Sequence, residues 1–526
     1  MRMNRLLPLA LTLLLLVAAP SAEAARGFSL GVAAGDVTAR SAILWAKANK
    51  SGAYTLEVAR NRRFTRELRA AVVRATKAHD NTVQRRMKGL KPGKRYFFRF
   101  IRRSRRSDIG TFVTAPKPTQ SKTIEFAWSG DQDFNPEPGQ TKPFWNDGGV
   151  LRRMKAERNA FNVMLGDTIY SDSEVPGRLN PIALTVKQKW AKYKVNLGNR
   201  ALRALRGSAG YYSQWDDHEF VNDFSPAESS FDNGVNINGG TLYNRGQKAF
   251  RDYAPVRFTR RDGLYRSFRW GRNLEVFFLD ERSFRSQNAD EGGVCNNPQT
   301  GRPDVAPTAP QSTRMLFSLV DPSLAQPVSQ ACLDRIRSSD RTFLGARQKA
   351  RFLSAVESST ARFKVIMNEM PIQQYYVLPY DRWEGFEAER QEILRRLRDN
   401  VKNVVFLTTD VHATLINDAR FRTLEQGGPE NSGILDVTVG PVATANFGIE
   451  IDQTTGQQGS AALVDGGFFT PQPPDGVGMQ CSVLDRFSYG QVKVTANQLT
   501  ITPKDIDGNP ISDNGRPCGV VLNFTP

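Results

Sequence analysis

Histidine is scarce in this chain of 526 residues: there are three, His79, His218 and His412. Cysteine is nearly as scarce, with Cys295, Cys332, Cys481 and Cys518, and no pair has the CxxC spacing that would argue for structural zinc. Beyond the first 19 residues no apolar run approaches the ~20 residues that a membrane-spanning helix requires. No internal repeat is visible, which excludes solenoid and propeller architectures. Acid is in deficit, with 53 Asp and Glu against 72 Lys and Arg and a net charge of +19. Such an excess attracts nucleic acid, anionic lipid or anionic wall polymer, or simply keeps a protein soluble. What is present is otherwise ordinary: 40% hydrophobic and 24% charged residues exclude disorder as the theme, and the length is too great for one hydrophobic core. Two to four domains are expected.

Residues 1–25 read as a secretory signal. Arg2 and Arg5 form a positive n-region, Leu6–Ala19 an apolar h-region shorter than a membrane span, and Ala22-Glu23-Ala24 a small-x-small cleavage site. The signal is thus 1–24, the mature chain begins at Ala25, and the charge falls only to +18 with the loss of Arg2, Arg5 and Glu23. Arg2 and Arg5 are not adjacent, so general secretion is favoured over the twin-arginine route and any metal is acquired outside the cytoplasm. The expected location is extracellular, periplasmic or cell-wall associated. Four cysteines suit an oxidising compartment, and the simplest of three connectivities pairs Cys295 with Cys332 and Cys481 with Cys518.

From Gly27 to about Pro116 short alternating segments are split by turn residues; Ser41–Ala48, Tyr54–Ala59, Tyr96–Ile101 and Thr111–Thr114 read as strands. Residues Gly89–Phe100, closing with Gly110–Thr114, resemble the end of a fibronectin-type sandwich, which gives an all-β unit over 26–116. Lys117–Ser121 is a short linker. Strands then alternate with helical segments in a larger α/β domain, 122–526: strand Ile124–Ser129, helix about Phe144–Arg158, strand Phe161–Leu165, helix Leu184–Leu205, helix Ala346–Ser358, strand Phe363–Met367, helix Phe386–Asp399 and strand Val404–Thr408. The Gly-, Pro- and Asn-rich stretch 286–342 interrupts this pattern and reads as an insertion or lid stapled by Cys295–Cys332, a closure worth roughly 3–4 kcal/mol in the chain-entropy model.

One logic recurs at the strand ends, an apolar run followed at once by acid, amide or imidazole. It gives Asp131-Gln132-Asp133, Gly166-Asp167 with Tyr170, Asn368-Glu369 and Asp410-Val411-His412, and Trp215-Asp216-Asp217-His218-Glu219 follows the aromatic segment Tyr211–Gln214. Open α/β sheets keep their chemistry at this edge. Carboxylates converging there cannot all ionise unless cations neutralise them, so the pattern implies metal. Oxygen donors point to calcium, magnesium or manganese, and Tyr170 with His412 leaves room for one iron. Two of the three histidines fall inside these motifs, whereas His79 lies in the β unit beside Asp80 and reads as structural.

The order Asp131…Gly166-Asp167…Asp217-His218-Glu219…Asn368-Glu369…Asp410-Val411-His412, with Leu279-Asp280-Glu281-Arg282 and Asp381-Arg382-Trp383-Glu384-Gly385, resembles the calcineurin-like metallophosphoesterases in their PhoD-like alkaline phosphatase branch. The leading β unit fits as well. The resemblance implies an αββα four-layer domain after a fibronectin-like one, and two or more metal ions. Asp167 would bridge two ions, with Asp131, Tyr170 and His412 towards one and Asp217 and Asn368 towards the other; Asp410 matches the first position of the last metal motif, and Asp131 and Asp133 compete for the first. His218 would stabilise or protonate the leaving oxygen. Arg282, Arg285 and Glu369 are candidates for substrate binding, Arg282 and Arg285 equally for a structural ion pair. Iron-bearing members of the branch place a cysteine after the first strand; Asp131 is harder and favours calcium, with iron, manganese and magnesium as the alternatives.

The expected activity is hydrolysis of phosphate monoesters by attack of a metal-activated hydroxide, with no protein partner. Phosphodiesterase action on wall polymer, phospholipid or nucleic acid is the first alternative. A non-catalytic secreted binder of polyanions is the second, and a metallonuclease the third.

Overall fold

A computed structural model describes residues 27–526 apart from 179, 180, 232 and 320, so the secretory signal expected over residues 1–24 lies outside the described residues. Two large sheets carry the molecule. The nine-stranded sheet runs in the order Val520–Asn523, Gln498–Asp505, Ser488–Val494, Ile124–Ser129, Phe161–Leu165, Gly210–Gln214, Phe28–Gly35, Ser41–Ala48, Thr82–Lys88. Its three central strands, Ile124–Ser129, Phe161–Leu165 and Gly210–Gln214, are mutually parallel. The seven-stranded sheet runs Arg266–Trp270, Leu274–Phe278, Phe363–Met367, Val404–Thr408, Glu430–Thr438, Thr414–Arg422, Cys481–Val483, again with a parallel centre.

The central strands are near-continuous apolar runs because both of their faces are covered. Phe126, Trp128, Phe161, Val163 and Leu165 meet Val276, Phe278, Val365, Met367, Val405 and Leu407 in one core between the sheets. On the outer face of the nine-stranded sheet, Ala127, Met164 and Tyr211 pack with Leu151 and Met154 of helix Gly149–Ala156, Leu197 of helix Val186–Gly198, Leu202 and Leu205 of helix Arg200–Arg206, and Phe250 of helix Gly239–Tyr253. On the other outer face Phe277, Ile366 and Phe406 pack with Phe352 of helix Ala346–Glu357 and Leu394 of helix Glu387–Asn400.

Strands Ile124–Ser129, Phe161–Leu165, Phe363–Met367 and Val404–Thr408 form at the expected bounds. The helix expected over Leu184–Leu205 is two. Asn199 leaves the helical conformation at ψ 127° and caps the second helix, its side chain accepting from the backbone N–H groups of Ala201 and Leu202.

The all-β unit differs in how it is attached. Five of its strands form a separate sheet, Arg69–Ala75, Gly52–Ala59, Arg95–Arg102 and Arg105–Arg106, with Gly110–Val113 on Arg95–Arg102. Phe28–Gly35, Ser41–Ala48 and Thr82–Lys88 instead extend the nine-stranded sheet, with Ala34 in parallel register with Gly210. Every residue of Ser41–Ala48 is buried, Leu44 and Ala46 facing the inter-sheet core and Trp45 the helices. The linker near 117–121 therefore separates stretches of sequence, while the sheet continues across it.

Both disulfides form, Cys295–Cys332 and Cys481–Cys518. The stretch 286–342 contains two short helices, Gln311–Phe317 and Gln330–Arg337, the second carrying Cys332. No helix among the described residues is long and apolar enough to cross a membrane.

Candidate metal centre

The strand ends deliver their polar residues through left-handed backbone. Asp131 (φ 63°), Asp167 (φ 45°), Asp410 (φ 66°) and His412 (φ 56°) all have positive φ, a conformation that costs non-glycine residues energy and persists only where the surroundings enforce it. The enforcement is visible at Gly166 (φ 84°), where a Cβ would stand 2.8 Å from Cβ of Asp216. Glu219 latches two of these turns together. One of its oxygens accepts from the Thr168 N–H at 2.6 Å, and the other accepts from the Asp216 N–H at 2.8 Å.

Ligand-type atoms gather in overlapping groups, each with its atoms within 4.8 Å of one another: Asp131, Asp167 and His412; Asp167, Asp217 and His218; Asp216, Asp217 and Asp410. Asp167 is common to the first two and Asp217 to the last two. Tyr170 joins the first, its hydroxyl 3.0 Å from His412 Nε2 and its ring stacked on that of His218 at 4.1 Å. Each imidazole is held from behind by a carboxylate: His218 Nδ1 lies 2.7 Å from Asp172 Oδ1, and His412 Nδ1 lies 2.5 Å from Glu450 Oε1. Asp172 is itself fixed by the Asn222 N–H at 2.7 Å and the Asn233 amide at 2.8 Å.

The electrostatics of the cluster call for cations. Both carboxylate oxygens of the fully buried Asp131, Oδ2 of Asp216 and Oδ1 of Asp217 lack a well-formed hydrogen bond, an arrangement that is costly unless something else pairs with them. Burial pushes the Asp131 and Asp216 carboxyls up to about 7, the charge of Asp216 adding to the first and that of Asp217 to the second. Burial likewise holds Asp167 well above the ordinary carboxylate range, with Asp217 and Asp216 adding to it. Burial alone would lower His412, yet Glu450 and Asp131 raise it to about 10. Oxygen donors with two imidazoles and one phenol fit hard or borderline ions.

The other sequence candidates are placed differently. Asp133 is spoken for, one oxygen accepting from the N–H and side-chain amide of Asn135 and the other from Ser173 Oγ at 2.5 Å. Asn368 is buried at its strand end, its Oδ1 3.3 Å from the Trp383 indole nitrogen. Glu369 lies beside Glu281 in the interior, and burial together with that neighbour's charge holds its carboxyl well above the usual range. Arg282 is wholly buried and engaged by Asp216 at 2.5 Å and by Asp381 at 2.8 Å through two nitrogens. Arg285 is also buried and pairs with Asp381 at 2.7 Å. The geometry of both arginines is that of a structural ion network tied to the acids of the cluster.

A cavity of about 380 Å³ opens beside the cluster, lined by Asp167, Asp217, His218, Asp410 and His412. The insertion supplies part of its wall through Asn288, Asp290, Glu291 and Pro303, and Arg382 rather than Arg282 or Arg285 reaches it. A larger groove, lined by Phe134, Arg152 and Asn199 among others, is built from different residues. Sequence reasoning passed over Asp172, Asp216 as an active partner and Glu450. Asp172 stands two residues beyond Tyr170 in the same strand-end turn and was accessible to the same logic; Glu450, on helix Phe447–Thr455, carries no local signal.

The sequence model described as PhoD-like phosphatase matches residues 139–500, and that described as PhoD-like phosphatase, N-terminal domain, matches 16–116. The chain belongs to the PhoD-like phosphatase family. It is 25% identical over 422 residues to alkaline phosphatase D of Bacillus subtilis (strain 168), an alignment that spans 74% of this PhoD-like chain and 64% of that protein. Among solved structures, one titled "Structure of PhoD" superposes with a TM-score of 0.69 at 19% identity, over 95% of this chain and 89% of the other. The purple acid phosphatase PPD1 of yellow lupin superposes with a TM-score of 0.54 at 11% identity, over 94% and 73%. These two likenesses concern the fold.

Proposed function

We propose that this PhoD-like chain is an exported, metal-dependent phosphoesterase acting on phosphate monoesters. The observation that carries the reading is the convergence of Asp131, Asp167, Asp217, His218 and His412 in overlapping groups with buried carboxylate oxygens that have no hydrogen-bond partner. Asp131, Tyr170 and His412 would hold one ion and Asp217 and Asn368 the other, with Asp167 between them and Asp410 beside Asp217. Calcium is the first choice, then iron, manganese or magnesium. Bound ions would neutralise the carboxylates and supply a water acidic enough to act near neutral pH.

The chain's own residues do the rest. Asp172 holds His218 by Nδ1, so Nε2 is the nitrogen left for the cavity; burial alone would lower the ring's pKa, and the charge and hydrogen bond of Asp172 act against burial to raise it. A protonated Nε2 can donate to the leaving oxygen as the ester bond breaks. Arg382 lines the cavity, and its guanidinium would meet a phosphate oxygen there. We read the two packed sheets with helices on both outer faces as the αββα arrangement of metallophosphoesterases, and the separate five-stranded sheet as the fibronectin-like part.

Initial rates on an aryl monoester and a bis-aryl diester phosphate, before and after chelation and with calcium, manganese or iron restored, test this. Faster monoester hydrolysis, lost on chelation and regained with metal, is expected. A large diester preference would sink the monoesterase reading, and no hydrolysis of either ester under any metal would sink the enzyme reading in favour of a polyanion binder.

A further inference from the structure

The net charge of +19 is not spread over the chain. Residues 27–116 hold 21 Lys and Arg against five Asp and Glu, a net +16, whereas residues 117–526 hold 48 against 47, a net +1. Fifteen of those 21 cations are arginine. The α/β body is thus close to neutral, and the β unit is a polycation attached to it.

Within that unit the cations concentrate further. The turn 60–69 carries Arg60, Arg62, Arg63, Arg66 and Arg69, and the segment 88–95 carries Lys88, Lys91, Lys94 and Arg95. The two segments lie together: Arg60 donates to the Arg95 carbonyl at 2.6 Å, Arg69 to the Lys88 carbonyl at 3.0 Å, and Lys91 pairs with Glu67 at 3.0 Å. Glu67 is the only acid in these two segments. The turn is built rather than loose. Phe64 is buried under the Arg99 guanidinium at 4.0 Å, and Asn61 Oδ1 accepts from the N–H groups of Thr65 and Arg66.

The same edge exposes aliphatic side chains. Leu68 is 48% and Val72 70% exposed. Leu68, Ala70, Val72 and Arg74 share one parity along the edge strand Arg69–Ala75 and all are exposed, while the opposite face of the sheet is sunk in the core through Tyr54, Leu56, Val73, Phe98 and Phe100. Every Phe, Tyr and Trp ring among the unit's described residues is buried or half-buried, so none of them offers a platform on which bases could stack. Guanidinium groups that pair with phosphate around exposed aliphatic side chains match the headgroup and upper acyl layers of a bilayer.

We propose that the Arg60–Arg69 turn, the Lys88–Arg95 segment and the Leu68/Val72 edge together form a docking surface for anionic phospholipid membrane, distinct from the catalytic cavity. This goes beyond the phosphoesterase reading and does not depend on it. Its consequence is that an exported chain without a spanning helix among its described residues would work at a lipid surface, held by its β unit.

Co-sedimentation of the mature protein with vesicles of phosphatidylcholine alone, and of phosphatidylcholine with about 30% phosphatidylglycerol, is the test. Binding to the anionic vesicles only, abolished by high salt, is expected. Because each cation near such a surface contributes roughly a fivefold factor, the quadruple variant Arg62→Gln, Arg63→Gln, Arg66→Gln, Arg95→Gln should partition roughly 600-fold more weakly. Leu68→Ser alone should lose several-fold. Unchanged melting temperature and unchanged hydrolysis of a soluble ester would show that the variants are folded, since none of these side chains lines the cavity. Equal binding to both vesicle types, or anionic-vesicle binding that the quadruple variant retains, would overturn the proposal. So would duplex DNA or inorganic polyphosphate binding tightly where anionic vesicles do not, which would identify a soluble polymer as the partner.

Discussion

Asp131, Asp167, Asp410 and His412 share a backbone state that three aspartates and a histidine adopt at a cost, and all four adopt it at the ends of parallel strands. The strain aims each side chain into one volume, and the imidazoles there are oriented by carboxylates behind them. For His218 that carboxylate is Asp172, whose own carboxyl is brought down to about 2: burial would raise it, but the His218 charge and hydrogen bond and the Asn222 and Asn233 donors outweigh burial. Asp172→Asn leaves the proposed ligands in place and removes the charge that orients and protonates His218. It should lower kcat on esters with poor leaving groups by on the order of 100-fold, with metal content unchanged and partial rescue by Asp172→Glu. An equal loss on good and poor leaving groups would show that Asp172 serves only the fold. The strand-end aspartates were legible because apolar run followed by acid is a local pattern. Which of Asp131 and Asp133 is free was not, because that depends on Asn135 and Ser173 satisfying Asp133, a matter of side-chain contact.

Strands were easier to find than the way the elements enclose the cavity. Central strands read correctly because burial on both faces leaves uninterrupted apolar runs. The long helix expected over 184–205 failed at Asn199, where a capping side chain stops one helix and starts the next. The insertion supplies a wall of the cavity, and Cys332 sits on helix Gln330–Arg337 within it, bonded to Cys295 across 37 residues. Replacing both cysteines by serine should cost roughly 3–4 kcal/mol by releasing the closed loop. If the staple holds the wall, KM should rise several-fold while the pairing of Cys481 with Cys518 keeps the rest of the fold intact; a lowered melting temperature with unaltered KM would mean that the wall is held by its other contacts, such as Arg335 on the Glu291 carbonyl at 2.6 Å.

At the scale of the whole molecule the β unit and the α/β body share a sheet. Strand Gly210–Gln214, which carries Trp215–Glu219 to the centre, has Phe28–Gly35 as its outer neighbour, and Tyr212 donates its hydroxyl to the Val37 carbonyl. Removing residues 27–116 would strip that neighbour and uncover Tyr212 and the inter-sheet core, so the truncated chain should be insoluble or aggregate through the exposed edge. A soluble, active fragment would show that the body folds alone. This sharing was invisible in the sequence because parity along a strand tells which residues are buried and not which sheet buries them. The central claim is that the carboxylates of the strand ends are a metal-binding set with Asp167 at its middle. Elemental analysis of the purified protein beside its Asp167→Asn variant tests it most directly: at least two metal ions per chain are predicted in the parent, with loss of metal and of phosphoester hydrolysis in a variant that still folds, whereas a parent free of metal and active without it, or a variant with unchanged metal and activity, would contradict the account.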